Sequence, residues 1–346
     1  MTFEYKEPDI TQNIFNWIIS NSKKCRINLS QSGMGPYNPM DFGIETNFGK
    51  FAEAAYSIEP NLRETISDLY GVKKNEIVFT TGGSEAIFLA ALYFRDPSGR
   101  ALIPVPEYEP MFRAPYSIGT KTLLVNEEEF QKEFNRSTDH VLISNPNNPT
   151  GNSAMSDGIK MVMEERPEKL FVDEAFRDFS FSKEAYTMFS DHPDIITSVT
   201  ATKFYGVGYL RLGWIMARKE VASRIQELKM VTSGSLPMHS LWLGNEILKK
   251  RELFIDRIKG RIERNREQIR AFAKKHGIRA TDPGNASFCF IYTDKDGYKL
   301  SSEIMEKEKI LLTPGVYFGL KNGFRLCITG SEEELKSALE DIAKYL

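Results

Sequence analysis

Residues 76–94 read EIVFTTGGSEAIFLAALYF. Glu76–Thr81 is a β-branched, apolar run of strand length. Gly82-Gly83-Ser84 is turn chemistry, and Glu85–Phe94 is a strongly apolar helical pattern. The same succession recurs downstream. Ala101–Val105 (ALIPV) runs into Pro106-Glu107-Tyr108, and Val141–Ser144 (VLIS) into the seven residues NPNNPTG at 145–151. Leu170–Val172 (LFV) ends in Asp173 and Ile195–Val199 (IITSV) in Thr200, while Leu212–Ala217 (LGWIMA) is one more apolar run. Short apolar strands alternating with helices predict an α/β fold with a mostly parallel sheet. In such sheets ligands bind beyond the carboxyl ends of the strands. Each Gly, Asn, Asp or Thr cluster here follows a strand, so the clusters converge on one sheet edge.

From Asn245 to about His276 a long helical pattern carries apolar Ile247, Ile255, Ile258, Ile262, Ile269 and Phe272. Between 246 and 276 it holds eleven basic and five acidic residues scattered around the helix, which reads as a solvated connecting helix rather than a basic binding face. Beyond it, Ser287–Tyr292 and Phe324–Ile328 read as strands and Ser301–Lys307 as a helix. A capping-box-like Ser331-x-x-Glu334 opens a final amphipathic helix. The expected division is an N-terminal arm belonging to a small domain (1–44), a large domain (45–245), and a connecting helix with a small α+β domain (246–346).

The chain has 346 residues, 41% hydrophobic and 27% charged, the composition of an ordinary globular protein. Lys plus Arg number 45 and Asp plus Glu 47, so a net charge of −2 gives no electrostatic ground for a nucleic-acid or anionic-membrane partner. Cys25, Cys289 and Cys327 are too few and too far apart for a disulfide framework or a Cys-based zinc site. His140, His192, His239 and His276 never pair at metal-ligand spacing. The opening MTFEYKEPDI is unlike a signal peptide, and no run of about 18 apolar residues exists. The expectation is a soluble, cytoplasmic, metal-free protein.

Lys203 lies just after a buried strand, between Thr200-Ala201-Thr202 and Arg211, eight residues on. Desolvation at such a place lowers a lysine's pKa and makes it an amine nucleophile of the Schiff-base kind. The hydroxyls and Arg211 form a phosphate cradle beside it, though this spacing taken alone is weak. Gly82-Gly83-Ser84 at a helix start offers N–H groups and a dipole to an anion; taken alone it is a tight turn. In NPNNPTG two prolines fix the backbone while asparagines are presented at the strand end. Asp173 at a buried strand end needs a donating or cationic partner.

Together these motifs resemble the fold-type-I pyridoxal-phosphate enzymes, specifically the class I/II aminotransferases, and most closely the branch that includes histidinol-phosphate aminotransferase. The likeness runs from about residue 26 to the C-terminus and rests on NPNNPTG, VDEAF at 172–176 and T-x-T-K-x-x-G at 200–206, with Arg211 after the lysine. It implies a seven-stranded-type, mostly parallel sheet and pyridoxal 5'-phosphate as cofactor. It further implies a ping-pong reaction between amino acids and 2-oxo acids through aldimine and pyridoxamine forms. Lys203 matches the lysine that binds the cofactor and moves the proton between Cα and C4′. Asp173 matches the carboxylate on the pyridine nitrogen, and Asn148 the donor to the phenolic oxygen. Gly83, Ser84, Thr200, Thr202 and Arg211 match the phosphate cup. Tyr108 matches the ring stacked on the pyridine. Tyr56 matches a tyrosine that reaches the neighbouring subunit's cofactor, which implies a homodimer. Arg325, in FRLCITG, matches the arginine on the substrate carboxylate. Gly33 or Gly35 is expected in the segment over the substrate.

One departure stands out: the family's tyrosine three residues after the aspartate is Phe176 here. The implied consequence is a raised pKa of the cofactor–lysine bond, since a phenol donor is missing. A dinucleotide site at Gly206-x-Gly208 is rejected, because Arg211 stands at the third glycine and no clear helix follows. A threonine-phosphate decarboxylase and a histidinol-phosphate aminotransferase proper stay open as alternatives. Lys229, Arg113 and Arg177 are the candidate cations for a distal anion on the substrate. If histidinol phosphate is the amine, Arg325 takes its phosphate.

Overall fold

The structure, a computed structural model, describes residues 2–6, 13–45 and 49–346. Residues 1, 7–12 and 46–48, which fall within the expected units 1–44 and 45–245, lie outside the described residues. The main sheet has eight strands in the order Thr2–Glu4, Lys121–Asn126, Arg100–Val105, Asp139–Ser144, Leu170–Asp173, Ile196–Thr200, Leu212–Met216, Ile77–Thr81. The five from Lys121–Asn126 to Ile196–Thr200 run parallel, and Leu212–Met216 runs antiparallel to both its neighbours. Every residue of Asp139–Ser144 and of Leu170–Asp173 is buried, which is why Val141–Ile143 and Leu170–Val172 within them read as apolar runs without alternation. Against the expected seven strands, Thr2–Glu4 adds an eighth by pairing antiparallel with Leu123–Val125. Two of its three residues are exposed, so it carries no apolar signature.

Strand order reverses between Arg100–Val105 and Asp139–Ser144, the place where open α/β sheets form a crevice. The carboxyl ends of these two strands lead to Tyr108 and Asn148. Ser144 pairs with Asp173 and Asp173 with Ser198, so successive strand ends stand level at this edge. A second, antiparallel sheet joins Phe288–Asp296, Asn322–Cys327 and Thr313–Pro314, and Ile27–Asn28 pairs parallel with Ile310–Leu311. From there residues 28–34 cross to the main sheet, tied by Cys327 N to Leu29 O (2.8 Å), Ser287 Oγ to Ser32 O (2.6 Å) and Met34 N to Lys203 O (2.7 Å).

The expected continuous helix 245–276 is two helices, Met238–Leu248 and Arg251–His276. The break turns Lys250 to donate to Phe42 O and Gly43 O, and turns Arg251 inward onto Asp178 at 3.0 Å. Arg251 is buried, as is Arg266, which donates to Phe179 O and Ala286 O. The basic residues of this segment are therefore not all solvated. Breaking a buried pair such as Arg251–Asp178 from one side costs about 3–5 kcal/mol. The final helix, Glu332–Ile342, starts with the expected capping box between Ser331 and Glu334. One apolar cluster runs from Phe79 and Trp214 of the main sheet through Phe254 and Ile258 to Phe288, Leu326 and Leu335, fastening both sheets to the long helix.

Candidate active site

The strand ends surround a cavity of about 560 Å³. Gly83, Ser84, Tyr108, Asn148, Asp173, Thr200, Thr202, Lys203, Arg211, Arg325 and Gly33 all line it. The structure thus brings together every site residue expected from the sequence except Gly35 and Tyr56.

One end of the cavity is built for an anion. The helix Gly82–Phe94 begins here, and its first N–H groups have no partner within the helix. Gly82 sits at φ +75°, and a Cβ on it would lie 2.6 Å from Arg211 Nη2, so only glycine fits. Arg211 itself is held at φ +51°, an uncommon conformation for a side-chain-bearing residue. Thr200 Oγ1 bonds to Thr202 Oγ1 at 3.0 Å and donates to Leu212 O at 3.0 Å, which orients both hydroxyls beside this helix start. Backbone N–H groups, hydroxyls and a guanidinium thus meet at one point.

Deeper in, Asp173 ends its strand and accepts from Ser198 Oγ at 2.7 Å. Burial pushes its carboxyl up to about 6, against the Ser198 hydrogen bond and the Lys203 charge. A cationic donor at Asp173 offsets that desolvation. Lys203 Nζ donates to Ser32 Oγ at 3.3 Å and has no carboxylate in ion-pair range among the described residues. Desolvation, with the Arg325 charge adding to it, lowers its amine to about 8. Nζ also stands 5.7 Å from the centre of the Phe176 ring, so the departure at 176 faces the amine directly.

Arg325 is 2% exposed and lies between the rings of Phe288 and Phe318, at 5.3 and 5.2 Å from their centres. It donates through Nη1 to Asn148 Oδ1 (2.8 Å) and through Nη2 to Ser30 O (2.8 Å), while its buried Nε has no partner. No carboxylate among the described residues pairs with it. A buried guanidinium without a counter-ion is a site for an anionic ligand.

The cavity lacks the other expected groups. Gly35 does not line it; a Cβ there would lie 2.5 Å from Gly206 O, so this glycine serves close backbone packing. Tyr56, on the helix Gly49–Tyr70, is 99% exposed and outside the cavity of its own chain. None of the three candidate cations lines the cavity either. Arg113 pairs with Glu109 at 3.1 Å, Arg177 with Glu174 at 2.8 Å, and Lys229 donates to Gly234 O.

Two features escaped the sequence reading. Glu107 is fully buried beneath the NPNNPTG loop and accepts from Tyr108 N (2.7 Å), Ser144 N (2.7 Å), Ser144 Oγ and Asn147 Nδ2 (3.4 Å). Ser144 Oγ accepts in turn from Asn148 N at 2.8 Å, so one carboxyl fastens Tyr108 and Asn148 together. Burial pushes Glu107 up to about 8, opposed by the Ser144 and Tyr108 donors. The second feature is the helix Ile14–Ser22, whose Ile14, Phe15, Ile18 and Ser22 form a wall of the cavity. The Pro-Glu-Tyr turn gave no signal for the first; for the second, Asn13 ahead of the apolar IFNWII was a readable helix start, but nothing in it pointed to the cavity.

Comparison with known proteins places this geometry among relatives. The family model described as aminotransferase class I and II matches residues 45–342. A probable aspartate/prephenate aminotransferase of Aquifex aeolicus is 26% identical over 331 residues, 86% of this chain and 84% of the relative. A histidinol-phosphate aminotransferase of Clostridium botulinum is 25% identical over 98% of both chains. The crystal structure of a PLP-dependent aminotransferase from Streptococcus suis superposes with a TM-score of 0.81 at 20% identity, over 96% of each chain.

Proposed function

This chain belongs to the class I and II aminotransferases, and from that premise we propose how its residues divide the work. It is an enzyme that transfers amino groups, and its cofactor is pyridoxal phosphate. Three observations support the fit of that cofactor: the cradle at Gly82 that a Cβ would fill, the amine of Lys203 free of any carboxylate pair, and the orphaned Nε of Arg325. When bound, the cofactor supplies an electron sink for the bonds at the substrate's Cα.

Gly83, Ser84, Thr200, Thr202 and Arg211 would hold the phosphate. Asp173, kept in place by Ser198, would hold the proton on the ring nitrogen. Asn148 accepts from Arg325 through Oδ1, which would leave Nδ2 for the ring oxygen, and Tyr108 would cover the ring face. Lys203 would bind the cofactor through Nζ and would move the proton at the substrate's Cα. Burial lowers that amine to about 8, closer to neutrality than an ordinary lysine and so better suited to accept and return a proton. Arg325 takes the substrate carboxylate, with Gly33 in the segment above it.

The observation that carries this assignment is one of charge. Lys203, Arg211 and Arg325 face the single carboxylate Asp173 in one cavity, an arrangement for a ligand pair bearing a phosphate and a carboxylate. A half-reaction screen tests it: protein loaded with pyridoxal phosphate is mixed with single amino acids, histidinol phosphate and O-phosphothreonine while absorbance is followed. Conversion with release of a 2-oxo acid or the corresponding carbonyl is expected, and Lys203→Ala abolishes it. Release of carbon dioxide without conversion of the cofactor contradicts transamination.

The assembly is a homodimer in which Tyr56, nearly free of contacts in its own chain, reaches the partner's phosphate site. Mixing Tyr56→Phe with Lys203→Ala protein tests this, because a hybrid dimer regains one intact site. The compartment is the cytoplasm, in keeping with three unpaired cysteines. The unit boundaries fall near residues 44 and 245, a reading that the pairing of Ile27 with Ile310 supports by linking the N-terminal arm to the smaller unit.

A further inference from the structure

Glu107 has no task in the assignment above, although it is joined to both residues that would frame the cofactor ring. It directly precedes Tyr108, and its Oε1 accepts from Tyr108 N at 2.7 Å, which closes the turn at the start of the helix Glu109–Ser117. Its Oε2 accepts from Ser144 N at 2.7 Å and from Asn147 Nδ2 at 3.4 Å, and that Nδ2 also donates to Pro106 O at 3.0 Å. Ser144 Oγ donates to Oε1 and accepts from Asn148 N at 2.8 Å. All these contacts lie within one chain, and Glu107 is 0% exposed there, so nothing that a second copy adds at the cavity mouth alters them.

Two anchors thereby fix the Asn148 amide. Its backbone N is held through Ser144 to Glu107, and its Oδ1 accepts from Arg325 Nη1 at 2.8 Å, so both together set the direction of Nδ2. Without the first anchor the side chain turns about the second. The backbone of Glu107 reaches further, since its N donates to Phe318 O at 3.1 Å, and the Phe318 ring centre stands 5.2 Å from Arg325 Cζ. Gly319, at φ +78°, lets this segment approach, because a Cβ on it would lie 2.7 Å from Val105 Cγ1. One buried residue thus joins Tyr108, Asn148 and the wall beside Arg325.

We infer that Glu107 is a positioning residue of the transamination site: its carboxyl sets Tyr108 against the ring face and, through Ser144, aims Asn148 at the ring oxygen. The inference rests on the pyridoxal-phosphate reading given above. A hydrogen bond weakens steeply as its donor moves out of line, and a bond to a charged oxygen has the most to lose.

A spectrophotometric pH titration of the loaded protein tests this without turnover. Glu107→Gln and Ser144→Ala are each expected to raise the pH of the absorbance transition by about half a unit or more, because the charged ring oxygen loses its donor. In an Asn148→Ala background, where that donor is already gone, Glu107→Gln is expected to move the transition no further. Asp139→Asn breaks the buried pair with Arg100 at the amino ends of the strands, away from the cavity, and should leave the transition in place. Binding of 4′-deoxypyridoxine 5′-phosphate, which cannot bond to Lys203, gives a second readout. Glu107→Gln should weaken it about tenfold and leave the binding of inorganic phosphate unchanged. The inference is overturned by an unmoved transition in both variants, by an equal shift in the Asn148→Ala background or in Asp139→Asn, or by equal weakening of inorganic phosphate. A Lys203-dependent absorbance band in wild type shows that the underlying reading survives such a result. Its absence sinks that reading and the inference with it.

Discussion

Glu107→Gln places an amide nitrogen where both carboxyl oxygens already accept. Oε1 takes Tyr108 N and Ser144 Oγ, and Oε2 takes Ser144 N and Asn147 Nδ2. A carboxyl group keeps acceptor capacity on both oxygens whether or not it is protonated, whereas an amide nitrogen has none. Whichever way the glutamine sits, a buried backbone N–H faces another donor. Losing that bond costs about 1–3 kcal/mol, and losing the side-chain bond on the same oxygen about 1 kcal/mol more, so the variant is expected to be about 2–4 kcal/mol less stable. The pH dependence supplies a second readout. The folded pKa of about 8 lies above that of an unfolded glutamate, so the native state holds the proton more tightly. Glu107's contribution is then fully present at low pH and declines as pH rises from roughly 4.5 to 8. Urea titrations at pH 5, 6.5 and 8 should show the gap between wild type and variant shrinking as pH rises. A cost below about 0.5 kcal/mol, or a gap that widens with pH, refutes the reasoning.

Other substitutions probe the rest of the cavity. Ser198→Ala removes the donor to Asp173 Oδ1, so the Asp173 pKa, already about 6, should rise and carry the acid limb of the pH–rate profile upward; an unmoved limb contradicts the role given to Asp173. Phe176→Tyr sets a phenol beside Lys203, and a spectrophotometric pH titration of the loaded protein should show its absorbance transition at lower pH than wild type. Arg325→Gln leaves Asn148 and Ser30 without their cationic donor and should weaken carboxylate binding by about 30-fold or more, read as a dissociation constant for 3-phenylpropanoate. Unaltered affinity would place the substrate carboxylate elsewhere.

Much of the fold was legible because the central strands are buried on both faces and so spell themselves as apolar runs, as VLIS and LFV do. The site motifs were legible for a related reason. Asp173 and Thr200 end their strands and Asn148 follows one, and parallel pairing brings these strand ends to one edge. What the sequence hid depends on contacts between distant segments. Trp17 finds Leu312 and thereby turns Ile18 toward the cavity. Glu107 reads as part of a Pro-Glu-Tyr turn after its strand, and its partners Ser144 and Asn147 lie about forty residues on. The edge strand Thr2–Glu4 exists through its pairing with Leu123–Val125 and not through its own composition. Periodicity carried the helical pattern across Lys249 and Lys250, where Phe42 and Asp178, remote in sequence, decide that the chain must break. The candidate cations failed for a local reason instead: Glu109 and Glu174 stand four and three residues before Arg113 and Arg177 and pair with them, while Lys229 donates to Gly234 O.

The central claim is that Lys203 alone carries the cofactor. Borohydride reduction of the loaded protein, followed by peptide mapping by mass spectrometry, tests it most directly. One pyridoxyl group per chain is expected, on Lys203, and none on a Lys203→Ala protein. A label on another lysine, or equal labelling of the variant, would contradict it.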